Sequence, residues 1–224
     1  MIVLDFDGTL VDVWRRYHIV FCDGLEDSSS APTLDEFKAL KRQLVRDGTI
    51  AQSISIRLAS DYFRTKKRKL ESEDYLALDT SLLTEEPSSI IRNNQLDFVI
   101  LSARRSRELL LWEIDRLGIP ILPRQVFVVD SDYKDSKARW LIGHKELVGY
   151  IVGDSKAEHH GAPEVVARRI FVDTGLFSFV DIKTDNGLDI QYCSSINDFL
   201  KSIVVSYEND MHSCQSETSI HKAD

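Results

Sequence analysis

Residues 1–12, MIVLDFDGTLVD, decide how the rest of the chain is read. Ile2, Val3 and Leu4 form a short apolar run rich in β-branched residues, the pattern of a strand buried on both faces. Asp5 and Asp7 follow, Gly8 breaks the run, and Asp12 closes the stretch. Ligands of an open α/β sheet bind in the crevice at the carboxyl ends of its strands. Acids at such a strand tip therefore stand where chemistry is done. Two carboxylates two positions apart repel each other unless a cation or a shared proton relieves them. The plainer alternative is a capping Asp followed by a turn Asp, roles that suit the residue equally.

Downstream the pattern divides in two. Residues 11–89 read as almost wholly helical, beginning with VDVWRRYHIVFCDG (11–24) and its apolar positions Val13, Tyr17, Val20 and Phe21. Thr33 with Glu36 three residues later is a capping box. It opens a helix whose stripe is Leu34, Phe37, Leu40 and Leu44 and which Gly48 closes. Residues 50–65 and 71–83 are predicted to be two further helices. From Leu96 onward, short apolar runs (LDFVILS, QVFVVD, GYIVGD, IFVDTG, LDIQYC) alternate with helical patterns. That alternation implies βαβ units and a parallel sheet. The predicted fold class is α/β, a Rossmann-like parallel sheet core with an all-helical cap inserted after the first strand. The core takes residues 1–10 and 90–205, the helical insert 11–89, and 206–224 form a polar tail expected to be disordered.

With 43% hydrophobic and 29% charged residues there is ample material for a core, and the net charge of -8 argues against nucleic acid or anionic membrane as a partner. The basic run RTKKRKLE (64–71) reads as a solvated face or as a rim attracting an anion. Cys22, Cys193 and Cys214 have no disulfide or zinc-like spacing, which favours a reducing compartment. The first residues lack the charged-then-apolar pattern of a leader, and no apolar stretch nears the ~20 residues a membrane span takes. A cytoplasmic location is expected. Nothing in the sequence sets an oligomeric state.

Each predicted strand end carries a polar residue suited to phosphate or metal: DFDGT after the first, VILSARR at the second, KDSKARWL beyond the third, and VGDSKAE after the fourth. In that order and spacing, across roughly residues 1–203, the chain resembles the haloacid dehalogenase-like hydrolases, a superfamily made up mostly of Mg²⁺-dependent phosphatases. DFDGTLVD matches the first signature without departure. VGDSKAE matches the fourth, with Glu158 where Asp is commoner. The resemblance implies a phosphoric monoester hydrolase acting on a small phosphorylated metabolite through an aspartyl-phosphate. Asp5 would be the nucleophile; Asp7 would be acid to the leaving alkoxide and then base to water. Ser102 and the backbone N–H of Ala103 would hold the phosphate, and Lys137, with Lys134 as rival, would offset its charge. The Mg²⁺ ligands would be the side chain of Asp5, the backbone carbonyl of Asp7, and Asp154, with Glu158 holding a metal-bound water.

Other roles stay open. Ser102 is also placed to cap the helix after it, and Arg104 either reaches substrate or faces solvent. Thr9 either bonds the nucleophile loop or serves the turn. His159 and His160, adjacent on a helix, make a poor chelate. Trp14, Trp112 and Trp140 are expected in the core. Tyr17, His18, Phe21, Arg57 and Arg64 are the candidates for insert residues facing the site. A phosphomutase of the same superfamily and a non-catalytic interaction protein are the alternative functions, whereas Asp7 argues against a dehalogenase, which lacks the second acid.

Overall fold

The computed structural model describes residues 1–23, 25, 31–47, 70–93, 96–130, 133, 135–174, 179, 182 and 188–205. The helix expected at 50–65, the basic residues 64–69, Lys134, Cys214 and the tail at 206–224 lie outside the described residues. In chain order the elements are β1 (Ile2–Leu4), β2 (Val11–Asp12), α1 (Trp14–Cys22), α2 (Leu34–Asp47), α3 (Glu73–Leu76), β3 (Thr80–Ser81) and α4 (Glu85–Arg92). Then come β4 (Phe98–Ser102), α5 (Arg107–Arg116), β5 (Val126–Val128), α6 (Ser136–Gly143), β6 (Tyr150–Gly153), α7 (Lys156–His160), β7 (Arg168–Val172) and β8 (Ile190–Cys193). A last helix, α8, spans 196–205.

Six strands pair in the order β5-β4-β1-β6-β7-β8, every pair parallel. The fold is thus an α/β sheet with β1 at its centre. Leu4 pairs with Ile100 on one side and Val152 on the other, which sets the tips of β1, β4 and β6 side by side. Side chains alternate across the sheet. Ile2, Leu4, Phe98, Ile100 and Val152 pack with Leu110 and Ile114 of α5 and with Phe199 and Leu200 of α8. Val3, Val99, Leu101 and Ile151 pack on the opposite face with Ala138 and Leu141 of α6. Each fully buried branched side chain stabilises this three-layer arrangement by about 2 kcal/mol.

Between β1 and β4 the chain builds a separate small cluster, in which Phe21 of α1 and Phe37 of α2 are buried with Trp14 and Tyr17 packed against them. The capping box forms as read: Thr33 N–H donates to Glu36 at 2.7 Å, and Glu36 N–H to the Thr33 hydroxyl at 3.3 Å. Two features differ from the helical reading. Val11 and Asp12 pair antiparallel with Ser81 and Thr80, so a short ribbon draws together the two ends of the insert. The stretch 71–83 holds only the one-turn α3 before β3, and a further helix, α4, follows at Glu85–Arg92. Strands of two residues carry no readable period, and α4 begins at Glu85 after Thr84, whose side chain makes no capping hydrogen bond.

Candidate active site

The chain turns sharply after β1. Gly8 takes φ +83°, a conformation that only glycine adopts without strain, and a methyl group there would collide with the Asp154 carboxylate. This close approach brings the loop after β1 against the loop after β6. Asp5, Asp154 and Glu158, all buried, present oxygens that lie within 4.8 Å of one another. The Lys137 ammonium, on the first turn of α6, donates to Asp5 Oδ1 and Glu158 Oε1, each at 2.6 Å. Glu158 Oε2 accepts from the Ser155 N–H at 3.1 Å and from its hydroxyl. Thr174, just beyond β7, donates its hydroxyl to Asp154 Oδ2 at 2.6 Å. Buried Ser102, at the tip of β4, and Ala103 line the same cavity of about 260 Å³, as do Val13, Trp14 and Tyr17 from the insert.

One ammonium does not balance three buried carboxylates. Burial pushes the Asp5 carboxyl up to about 7, with Lys137 opposing and Glu158 adding to the rise. Burial and the neighbouring charges of Asp5 and Glu158 likewise raise Asp154 well above the usual carboxylate range. Burial acts against Glu158 too, but the Lys137 charge and the hydrogen bonds it receives bring its carboxyl below the ordinary value. A surplus of negative charge on a purely oxygen donor set fits a hard divalent cation such as Mg²⁺. The side chain of Asp7 stands apart from this group. Arg104 grips it with two bonds, Nε to Oδ2 at 2.8 Å and Nη2 to Oδ1 at 2.6 Å, and Arg16 Nη2 donates to Oδ1 at 2.6 Å. Partial burial works to raise the Asp7 carboxyl, but the two guanidiniums outweigh it and hold the group well below the usual carboxylate range.

Comparison with known proteins bears on the frame that carries these residues. No protein-family model and no curated protein matches the chain. Among solved structures it resembles a haloacid dehalogenase-like family hydrolase from Streptococcus pneumoniae, with a TM-score of 0.60, 14% identity, and coverage of 92% of this chain and 97% of that one. It also resembles a predicted phosphatase from Clostridium acetobutylicum (TM-score 0.59, 16% identity, covering 91% and 97%). The chain shares the fold of these solved structures. A third likeness, to Protein Tyrosine Kinase A from Mycobacterium tuberculosis, has TM-score 0.59, 16% identity, and coverage of 90% and 96%. Shared fold therefore does not fix activity, and the site must carry that inference.

Within this frame, the structure brings Asp5, Ser102, Ala103, Lys137, Asp154 and Glu158 around one cavity, with Asp7 at its edge. Several lesser expectations change. Arg104 does not face solvent but is buried against Asp7 and Glu113. The helix after β4 is capped by Ser106, which accepts from Leu109 N–H at 3.1 Å, and not by Ser102. Trp14 packs on the Phe21–Phe37 cluster and also lines the cavity; its indole N–H donates to the Thr174 carbonyl at 3.2 Å. Of the insert candidates Tyr17 lines the cavity, His18 and Phe21 pack on Phe37, and Arg57 and Arg64 lie outside the described residues. His159 and His160 stand outside the acid group, bonded to the carbonyls of Gly153 and Ile182. Thr9 is buried in the turn and its hydroxyl has no partner among the described residues. Asp12 accepts from Trp14 N–H at 2.9 Å and so fixes the start of α1.

Arg16, Asp79, Glu113 and Thr174 are site neighbours that the sequence reading missed. A signal existed for two of them. Arg16 stands three residues after Val13 and four before Val20, and Glu113 three after Leu110 and one before Ile114, so each is a charge on an apolar stripe.

Proposed function

We propose that the chain is a divalent-cation-dependent phosphatase that hydrolyses a small phosphorylated metabolite through an aspartyl-phosphate on Asp5. The observation that carries this reading is Asp5 itself: a carboxylate at the tip of the central strand, one oxygen held by Lys137, set among Asp154 and Glu158 and facing Ser102 across a cavity. Its Oδ2 attacks phosphorus, the Asp5–phosphorus bond forms, and the bond to the leaving oxygen breaks with its electron pair going to that oxygen. Ser102 and the Ala103 N–H orient the phosphate oxygens, and Lys137 offsets the charge gathered between nucleophile and phosphate. Asp5, Asp154 and Glu158, with the backbone carbonyl of Asp7, would hold Mg²⁺. When bound, the ion neutralises charge on the phosphate oxygens.

Asp7 would serve as acid to the leaving group and as base to the water that releases phosphate from Asp5. The double guanidinium grip favours the second role, because it keeps the carboxylate ionised. The first role needs a proton on that same group, so it requires one guanidinium to let go. The insert supplies the upper wall through Val13, Trp14 and Tyr17, which supports a cap that excludes water and selects substrate. A cavity of about 260 Å³ suits a small leaving group. Free thiols at Cys22 and Cys193 support a cytoplasmic setting, and among the described residues no helix is long and apolar enough to cross a membrane.

The test is a panel of phosphorylated metabolites assayed with Mg²⁺ on the wild type and on Asp5→Asn. Phosphate release by the first and none by the second is expected. Equal rates from both would remove Asp5 from the chemistry. Conversion of a sugar phosphate to its isomer, with no phosphate released, would favour the mutase alternative.

A further inference from the structure

Behind Asp7 lies a set of charges that the proposed reaction does not use. Arg16 of α1 touches Asp7 at 2.6 Å and Asp79 Oδ2 at 3.2 Å. Arg104, after β4, touches Asp7 at 2.6 Å and Glu113 Oε2 of α5 at 2.5 Å. Relative exposures of 2% for Arg16, 3% for Arg104, 1% for Asp79 and 0% for Glu113 put all four out of water. Such burial is costly unless every charge is paired and bonded, and most surface arginines avoid it.

Asp79 Oδ1 and Oδ2 and Glu113 Oε1 are all buried and accept no hydrogen bond among the described residues, Asp79 Oδ2 having only its ion-pair contact with Arg16. A proton carried by Asp79 and donated to Glu113 satisfies one oxygen of each and leaves the other Asp79 oxygen to Arg16, since a protonated carboxyl donates where an ionised one only accepts. It also balances the charge: the acids Asp7, Asp79 and Glu113 then carry two charges against those of Arg16 and Arg104. Burial first, and Glu113 next to it, push the Asp79 carboxyl up to about 9 against the pull of Arg16. With that proton the two arms, Asp7–Arg16–Asp79 and Asp7–Arg104–Glu113, close into a ring. Arg16 and Asp79 come from the segment between β1 and β4, Arg104 and Glu113 from the sheet's own loop and helix.

We propose that Asp79 and Glu113 are positioning residues of the site, each holding one of the two arginines that grip Asp7, so that insert and core together fix where the Asp7 carboxylate stands. Arg16 and Arg104 thus hold the Asp7 carboxylate from two sides although it lies at the edge of a cavity. The catalytic consequence rests on the phosphatase reading; the ring itself does not.

Two measurements on the full chain with Mg²⁺ separate these. The first compares kcat on p-nitrophenyl phosphate and on glycerol 2-phosphate for Asp79→Ala, Glu113→Gln, Asp7→Asn and the doubles with Asp7→Asn. An alkoxide needs help to leave and a nitrophenolate does not. Each single variant should therefore lose about tenfold in kcat on the alkyl ester, with KM changed less than about twofold and a smaller loss on the aryl ester. In the Asp7→Asn background neither should have a further effect, and Glu113→Asp should recover part of the loss. The second measurement follows the Nη–H signals of Arg16 and Arg104 by ¹⁵N NMR, where slow exchange in the wild type should be lost from Arg16 Nη2 in Asp79→Ala and from Arg104 Nη1 in Glu113→Gln. Equal losses on both esters, losses that multiply with Asp7→Asn, or arginine signals unmoved in a folded variant would overturn the proposal. Asp79→Ala, which replaces a protonated and so uncharged acid, keeps the ring's charge count and guards against Glu113→Gln failing to fold. A wild type that turns over neither ester while the arginine signals behave as stated would sink the phosphatase reading and leave the ring standing.

Discussion

Gly8 is the residue through which backbone geometry and acid chemistry meet. Its φ of +83° and the Asp154 carboxylate against its missing side chain mean that Gly8→Ala must strain the turn and displace Asp154 together. A cost of about 1–3 kcal/mol in unfolding free energy is expected, with a larger proportional loss in Mg²⁺ affinity. Denaturant melts and calorimetric titration check this, and an alanine variant that binds Mg²⁺ like the wild type would separate Gly8 from the site. Asp79 gives a second test with a defined sign. Its carboxyl rises from 3.8 to about 9 on folding, so it holds its proton in the folded chain where the unfolded chain has lost it. Stability from this group is therefore complete below the unfolded value and lost as pH rises through the folded one. Asp79→Asn, which cannot ionise, should lose less Tm than the wild type between pH 5 and pH 9, scans in chelator at both ends being the check. Parallel Tm curves would contradict it. At this scale the candidate acids and Lys137 were legible because each sits at a strand or helix end with a distinctive neighbour. Asp79 and Thr174 were not legible, because their roles depend on contacts 63 and 20 residues away, to Arg16 and Asp154.

At the scale of elements, the site depends on α1 being held over the strand tips. Phe37 of α2 is wholly buried, its ring 5.1 Å from that of Phe21, 5.5 Å from His18 and 6.2 Å from Trp14. Phe37→Ala should cost about 3 kcal/mol where the cavity cannot collapse. Because the cluster is separate from the sheet's core, the loss should be local. Hydrogen exchange should quicken in α1 and α2 while β1, β4 and β6 stay protected, and KM should rise through the loosened Trp14 and Tyr17 wall. A uniform loss of protection would show that insert and sheet unfold as one. Elements with a period or a cap were readable in advance, as the Thr33–Glu36 box and the buried run Ile2–Leu4 show. The β2–β3 ribbon was not, because a two-residue strand is specified by its partner and not by its own composition.

For the whole molecule, the central arrangement is a parallel sheet whose middle strand delivers Asp5 between the tips of β4 and β6. The surplus of buried negative charge there makes cation binding and proton binding compete. With Asp5 pushed up to about 7 by burial in the metal-free chain, Mg²⁺ should bind more tightly at pH 8 than at pH 6, since the ligand must be ionised. Excess chelator should abolish phosphate release and Mg²⁺ restore it. Ca²⁺ should bind without supporting turnover, its looser shell letting Asp5 coordinate through both oxygens and taking the attacking one out of line. The most direct test of the account asks whether Asp5 itself becomes phosphorylated. Enzyme quenched in acid during turnover with Mg²⁺ and substrate, then reduced with borohydride, should show homoserine at position 5 by peptide mass spectrometry, and only when both metal and substrate were present. Continued turnover with position 5 unmodified, or modification at another carboxylate, would contradict it.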